Sequence, residues 1–174
     1  MAEHDDKYKA MLFEGPEHIP VGIGLLPATW MKYREKLQEL LTRHPIIFGV
    51  GASREGKYDA VQGTYVQGEH VDAWGCGWSN VTHGMEAIVT KHPVPTRADV
   101  HELKAPAEHT GFPHGFMYLR LCDLRGFEEM MVDFAEEPPE LQMLIDIVLE
   151  HNVRELEHEI ERVGPSDRLM HFGD

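Results

Sequence analysis

The stretch HGFMYLRLCDLRG, residues 114–126, decides how the whole chain is read. FMYLRL is a short apolar run carrying one arginine, Arg120, and Asp123-Leu124-Arg125-Gly126 breaks it. An apolar run of that length closed by turn residues reads as a buried strand over 115–121. Downstream, Phe127, Met130, Met131 and Phe134 share one face at helical spacing, which predicts a helix over 126–135. Pro138-Pro139 restarts a helix where proline is tolerated. Leu141, Leu144, Ile145, Val148, Leu149, Leu156, Ile160 and Val163 carry that helix to Gly164-Pro165, which predicts a helix over 139–163. The segment RLMHF, 168–172, reads as a last strand, with Asp174 at its rim after Gly173.

Upstream, IPVGIGLL predicts a strand near 19–24. Thr29 can cap a helix over 29–43, whose face is Trp30, Tyr33, Leu37, Leu40 and Leu41 and which Pro45 ends. IIFGV predicts a strand over 46–50. Residues 51–111 read as an irregular insertion with short alternating pieces, a hairpin, and a short helix near Thr96–Leu103. Strand, helix, strand, insertion, strand, helices, strand is the order of an α/β domain with mainly parallel strands, spanning residues 1–174. About four strands are half of what a closed (β/α)8 barrel needs.

The balance of 42% hydrophobic and 26% charged residues is that of a globular chain. Thirty acidic residues against 16 Lys and Arg give a net charge of −14. A field of that sign repels phosphate backbones and anionic lipid, so neither nucleic acid nor a membrane is an expected partner. The charged N-terminus MAEHDDKYK has no signal-like apolar core, and no apolar run is long enough to span a bilayer. Cys76 and Cys122 sit in apolar settings and read as reduced thiols of a cytoplasmic protein.

Two segments hold the candidate chemistry. VDAWGCGWSN, residues 71–80, sets Trp74 and Trp78 around two glycines and a cysteine, with Asp72 just upstream. It suits either an aromatic wall with close backbone approach to a ligand or a glycine-rich turn whose tryptophans plug the core. In the second segment Arg120 needs an anion if buried. Arg120 and Arg125 could hold a carboxylate or phosphate, or pair internally with Asp123 and Asp174. Twelve histidines are scattered without HxxxH, HxH or CxxC spacing, so no metal site is read from this chain. No nucleophile elbow or phosphate loop is present.

DAWGCGW, GMEAIVTKHPV and HGFMYLRLCDLRGFEEMMVDFAEEPPELQMLIDIVLEHN together resemble the uroporphyrinogen decarboxylase-like family, which includes corrinoid-dependent methyltransferases. The resemblance covers most of residues 70–174 and, more weakly, the start of the chain. It implies a TIM-type (β/α)8 barrel, here as its N-terminal half, with pocket residues at the strand ends. It also implies decarboxylation or corrinoid-linked methyl transfer on a small or tetrapyrrole-linked substrate in a full-length parent, this chain being an incomplete or inactive fragment. Asp174, Asp72 and His114 are the expected catalytic groups, and Arg120, Trp74 and Arg125 the expected substrate-binding groups. Zinc or a corrinoid would belong to a methyltransferase-type parent, with no cofactor expected within this chain. GIGLLPATWMKY stands where decarboxylases of the family carry an arginine-rich loop, and it has no arginine. The alternative is a non-catalytic module that self-associates, for instance as a homodimer.

Overall fold

A computed structural model of the chain describes residues 6–49, 53–111 and 115–164. They fall into two compact units, one from Met1–Gln67 with Asn80–Glu86, the other from Gly68–Ser79 with Ala87–Asp174.

The first unit carries helices α1 (Asp6–Met11), α2 (Pro27–Arg43) and α3 (Pro45–Phe48). Pro27 sits in the first turn of α2, where its missing N–H costs nothing. Trp30, Leu37 and Leu41 bury one face of α2 against Tyr58, whose ring stacks on Trp30 at 6.4 Å between centroids. Arg34 interrupts the helix with a φ of 45°, and its guanidinium forks onto Asp59 at 2.7 and 2.9 Å. The helix expected over 29–43 is therefore present, with one break.

Except for Asn80, the second unit holds a sheet of three short strands, β1 (Gly68–Val71), β2 (Gly77–Asn80) and β3 (Ile88–Lys91), in the order β1-β2-β3. β2 and β3 run antiparallel, with an irregularity between Gly77 and Trp78. A side chain at Gly77 would meet Lys91 Cβ at 2.8 Å, so that bend needs glycine. A 3-10 helix at Arg97–Glu102 follows, opened by a capping box between Thr96 and Asp99, where a short helix was expected. Helices α4 (Tyr118–Arg125), α5 (Phe127–Glu136) and α6 (Pro139–Val163) complete the unit. Its core joins Trp74, Cys76 and Trp78 of the sheet region to Val94, Val100, Leu121, Leu124, Met130, Leu144 and Val148.

The expected α/β architecture, a partial TIM-type barrel with mainly parallel strands, is contradicted: the sheet is small and antiparallel, and helices dominate. Residues 115–121 are not a strand, because Tyr118 opens α4. The spacing explains it: Leu121 and Leu124 are both buried, and Arg120 and Asp123 approach to 3.7 Å. Residues three apart share a helix face but point to opposite faces of a strand. PIIF coils into α3 after Pro45, and residues 19–24 join no sheet, leaving Ile19, Val21 and Ile23 exposed. The strand expected over 168–172 lies outside the described residues.

A buried ion cluster ties α4 and α5 to the 3-10 segment. Asp133 takes Arg125 Nε at 2.8 Å on one oxygen and Arg97 Nε at 2.7 Å on the other. Burial pushes the Asp133 carboxyl up, but the hydrogen bonds from Arg125 and Arg97 outweigh it and hold the acid below the ordinary carboxylate range. Removing one partner of such a pair strands the other charge in the interior. Asp133→Asn should therefore cost about 3 kcal/mol, read as a lower urea midpoint at neutral pH. The gap should close as pH falls through the depressed Asp133 value, where the wild type loses the same charge.

Candidate functional site

Asp72 closes the turn between β1 and β2 and is the centre of the candidate site. One of its oxygens accepts the backbone N–H groups of Trp74 at 3.0 Å and Cys76 at 2.9 Å. The other accepts Trp78 Nε1 at 3.1 Å and Arg120 Nη1 at 3.0 Å. Asp72 N also donates to Cys76 O and Gly75 N to Asp72 O, so the turn is tied at backbone and side chain alike. Gly75 carries a φ of 87°, which glycine adopts freely.

Arg120 reaches this turn from α4. It is 3% exposed, lies 3.0 Å from Asp72 and 3.7 Å from Asp123, and stands 6.0 Å from the Trp74 ring centroid. A guanidinium over an indole gains from the ring quadrupole as well as from its ion pairs. The two segments singled out in the sequence thus converge on one point, with Asp72, Trp74 and Arg120 in mutual contact. All four donors to Asp72 come from the protein, so the carboxylate organises the turn and orients Arg120.

Below the turn, Cys76 is fully buried and its Sγ donates to Asp123 O at 3.5 Å. His92 Nδ1 donates to the same carbonyl at 2.7 Å. Burial, reinforced by the negative charge of Asp72, pushes the Cys76 thiol up to about 12. A thiol with that value is no nucleophile at neutral pH. Arg125 belongs to a separate cluster: besides Asp133 it meets Glu129 at 3.1 Å and Pro95 O at 2.7 Å. It serves the internal ion network. His114 and Asp174 lie outside the described residues.

A second polar cluster, not anticipated from the sequence, borders Trp74 through His151, whose ring meets the indole edge-on at 4.9 Å. His151 Nδ1 faces Arg154 Nη2 at 2.9 Å, and since a guanidinium only donates, Nδ1 is the acceptor. The proton then sits on Nε2, pointing at Thr110 Oγ1 at 3.4 Å. That tautomer cannot take the Thr110 proton, so the pair is no nucleophile and base. Glu155, 3% exposed, accepts Thr110 N at 2.9 Å, Gly111 N at 2.8 Å and His109 Nδ1 at 3.0 Å. It clasps the loop before residue 112 to α6. The spacing of His151, Arg154 and Glu155 was the available signal, since it places all three near one helix face.

Among the described residues, no group of three or more His, Cys, Asp or Glu could hold a metal ion. Among them, no helix is long and apolar enough to cross a membrane. No family model, no curated protein and no solved structure matches the chain.

Two measurements test this arrangement. Cys76 should resist a thiol reagent at pH 8 in the native protein and react in denaturant, whereas Asp72→Ala should open the turn and expose it. Rapid native labelling of Cys76 would contradict the buried hydrogen bond to Asp123. The clasp predicts a pH response as well. Burial holds His151 below the ordinary imidazole value. The Glu155 carboxyl is pushed up by burial, but its hydrogen bonds from Gly111, His109 and Thr110 win and hold it below the ordinary carboxylate range. Both groups bind protons more readily when unfolded, so stability is full above about pH 6.5 and falls on acidification. Denaturation midpoints from pH 8 to pH 4 should show that fall, and Glu155→Gln should remove its lower-pH part.

Proposed function

We propose that the chain serves a uroporphyrinogen decarboxylase-like enzyme, cytoplasmic in location, that decarboxylates or transfers a corrinoid-linked methyl group on a small or tetrapyrrole-linked substrate. One observation carries the reading beyond side-chain resemblance. The two segments that most resemble the family, 71–80 and 114–126, meet at the Arg120–Asp72 contact of 3.0 Å across 48 residues of chain. In this reading Asp72 and Arg120 are positioning residues that fix Trp74 and the glycine-rich turn, where backbone can approach a ligand closely. Substrates with many carboxylates are disfavoured, because GIGLLPATWMKY has no arginine and both Arg120 and Arg125 are committed to internal carboxylates. A corrinoid would supply the methyl-carrying metal in the methyl-transfer branch.

The test is turnover by the purified protein expressed in its full genomic reading frame. Methylcobalamin demethylation in the presence of a thiol acceptor is followed at its visible band, and loss of tetrapyrrole carboxylates by chromatography. One of the two should exceed the protein-free rate, and Trp74→Phe should lower kcat more than it raises KM. The 174-residue chain alone should give no product from uroporphyrinogen. Neither reaction proceeding in a protein with native circular dichroism would overturn the enzymatic reading.

A further inference from the structure

Helix α6 turns two faces in unexpected directions. Its inner face passes from Leu144 and Val148 to His151, Asn152 and Glu155, which are 2, 4 and 3% exposed. Leu149, Val153, Ile160 and Val163 are left outside at 42, 41, 54 and 43% exposure, with Leu156 half-buried among them. The steps from Leu149 through Val153, Leu156 and Ile160 to Val163 are 4, 3, 4 and 3 residues. At 3.6 residues per turn, these five positions fall within about 40° of one line, over roughly 21 Å of helix. The spacing is that of a heptad seam, with β-branched Val153 and Ile160 at one position and Leu149 and Leu156 at the other.

We propose that this seam docks an amphipathic helix of a partner protein whose apolar face is flanked by Lys and Arg. The charge beside the seam selects that occupant. Asp146, Glu150, Glu157 and Glu161 line one side, all exposed, and none of the four is in an ion pair among the described residues. On the other side, Glu159 is held by Arg162 of the same helix. A second copy of this chain would set acid against acid, on a protein whose net charge is already −14. An anionic membrane surface meets the same repulsion. An amphipathic helix reads such a surface through anchors at i, i+3, i+4 and i+7, with basic flanks fixing its register. The surface does not rest on the enzymatic reading, because its residues are not among the hydrogen-bond or ion-pair partners of Asp72 and Arg120.

The probe is a synthetic amphipathic helix of about four heptads with an Ile/Leu seam and Lys flanks, fluorescently labelled and titrated with the full chain. A control peptide keeps the seam and carries Glu flanks. The Lys peptide should bind saturably and at least tenfold more tightly than the Glu peptide at low salt, with the gap shrinking as salt is added. Val153→Gln/Ile160→Gln, two exposed changes checked by circular dichroism, should weaken it at least tenfold. No binding, equal binding of the two peptides, or binding that ignores the double variant would overturn the proposal. So would a wild-type dimer in sedimentation that the variant converts to monomer, since the occupant would then be a second copy. Attachment to phosphatidylserine vesicles that the variant abolishes would assign the seam to a membrane and overturn it too.

Discussion

The carboxylate of Asp72 fastens two parts of the chain that lie 48 residues apart. Its four donors come from the turn it caps, from the indole of Trp78 and from Arg120 on α4. A buried guanidinium left without an anion is strongly unfavourable, so Arg120 and the turn specify each other's place. Once they are joined, Cys76 and His92 both meet the Asp123 carbonyl, and Trp74 is held between a cation and an imidazole edge. The hydrophobic contacts of Trp74, Cys76, Leu121 and Leu124 pack around this polar frame.

Helices with long, clean spacing were legible in the sequence. α6 occupies residues 139–163 as read, and α2 and α5 differ from their expected bounds by one or two residues. FMYLRL misled because a short apolar run carries no period of its own. Only the pairing of Arg120 with Asp123 and the joint burial of Leu121 and Leu124 declare it helical. The sheet was legible only in part: a hairpin was expected within 51–111, where β2 and β3 do pair antiparallel, but its strands were not placed. GEHV, GWSN and IVTK are four residues each, rich in polar groups, and rely on neighbours rather than on alternation of apolar residues.

Much of the candidate site was visible as residue types that need partners. A carboxylate beside glycines and tryptophans, and an arginine within an apolar run, each called for a counterpart, and they found one another. The clasp of His151 and Glu155 was not read from their shared-face spacing, because the apolar stripe of α6 argues that a different face points inward. Polar groups fill that interior instead, and among the described residues every buried side-chain nitrogen and oxygen has a hydrogen-bond partner. Full pairing is what lets a helix bury a carboxylate, an amide and an imidazole within five residues.

The outward seam of α6 also sets the colloidal behaviour of the chain. Aliphatic surface of that extent attracts its own kind at short range, and in dilute solution mutual charge repulsion keeps molecules from reaching that range. The repulsion comes from a net charge of −14, and it vanishes near the isoelectric point of about 5.2. Acidification therefore removes the barrier and also weakens the clasp on the other side of the helix, the Glu155 part only at lower pH because its hydrogen bonds hold that carboxyl below the ordinary range. Acid thus favours precipitation and unfolding together, the first through protons bound all along the chain and the second through two groups on one helix.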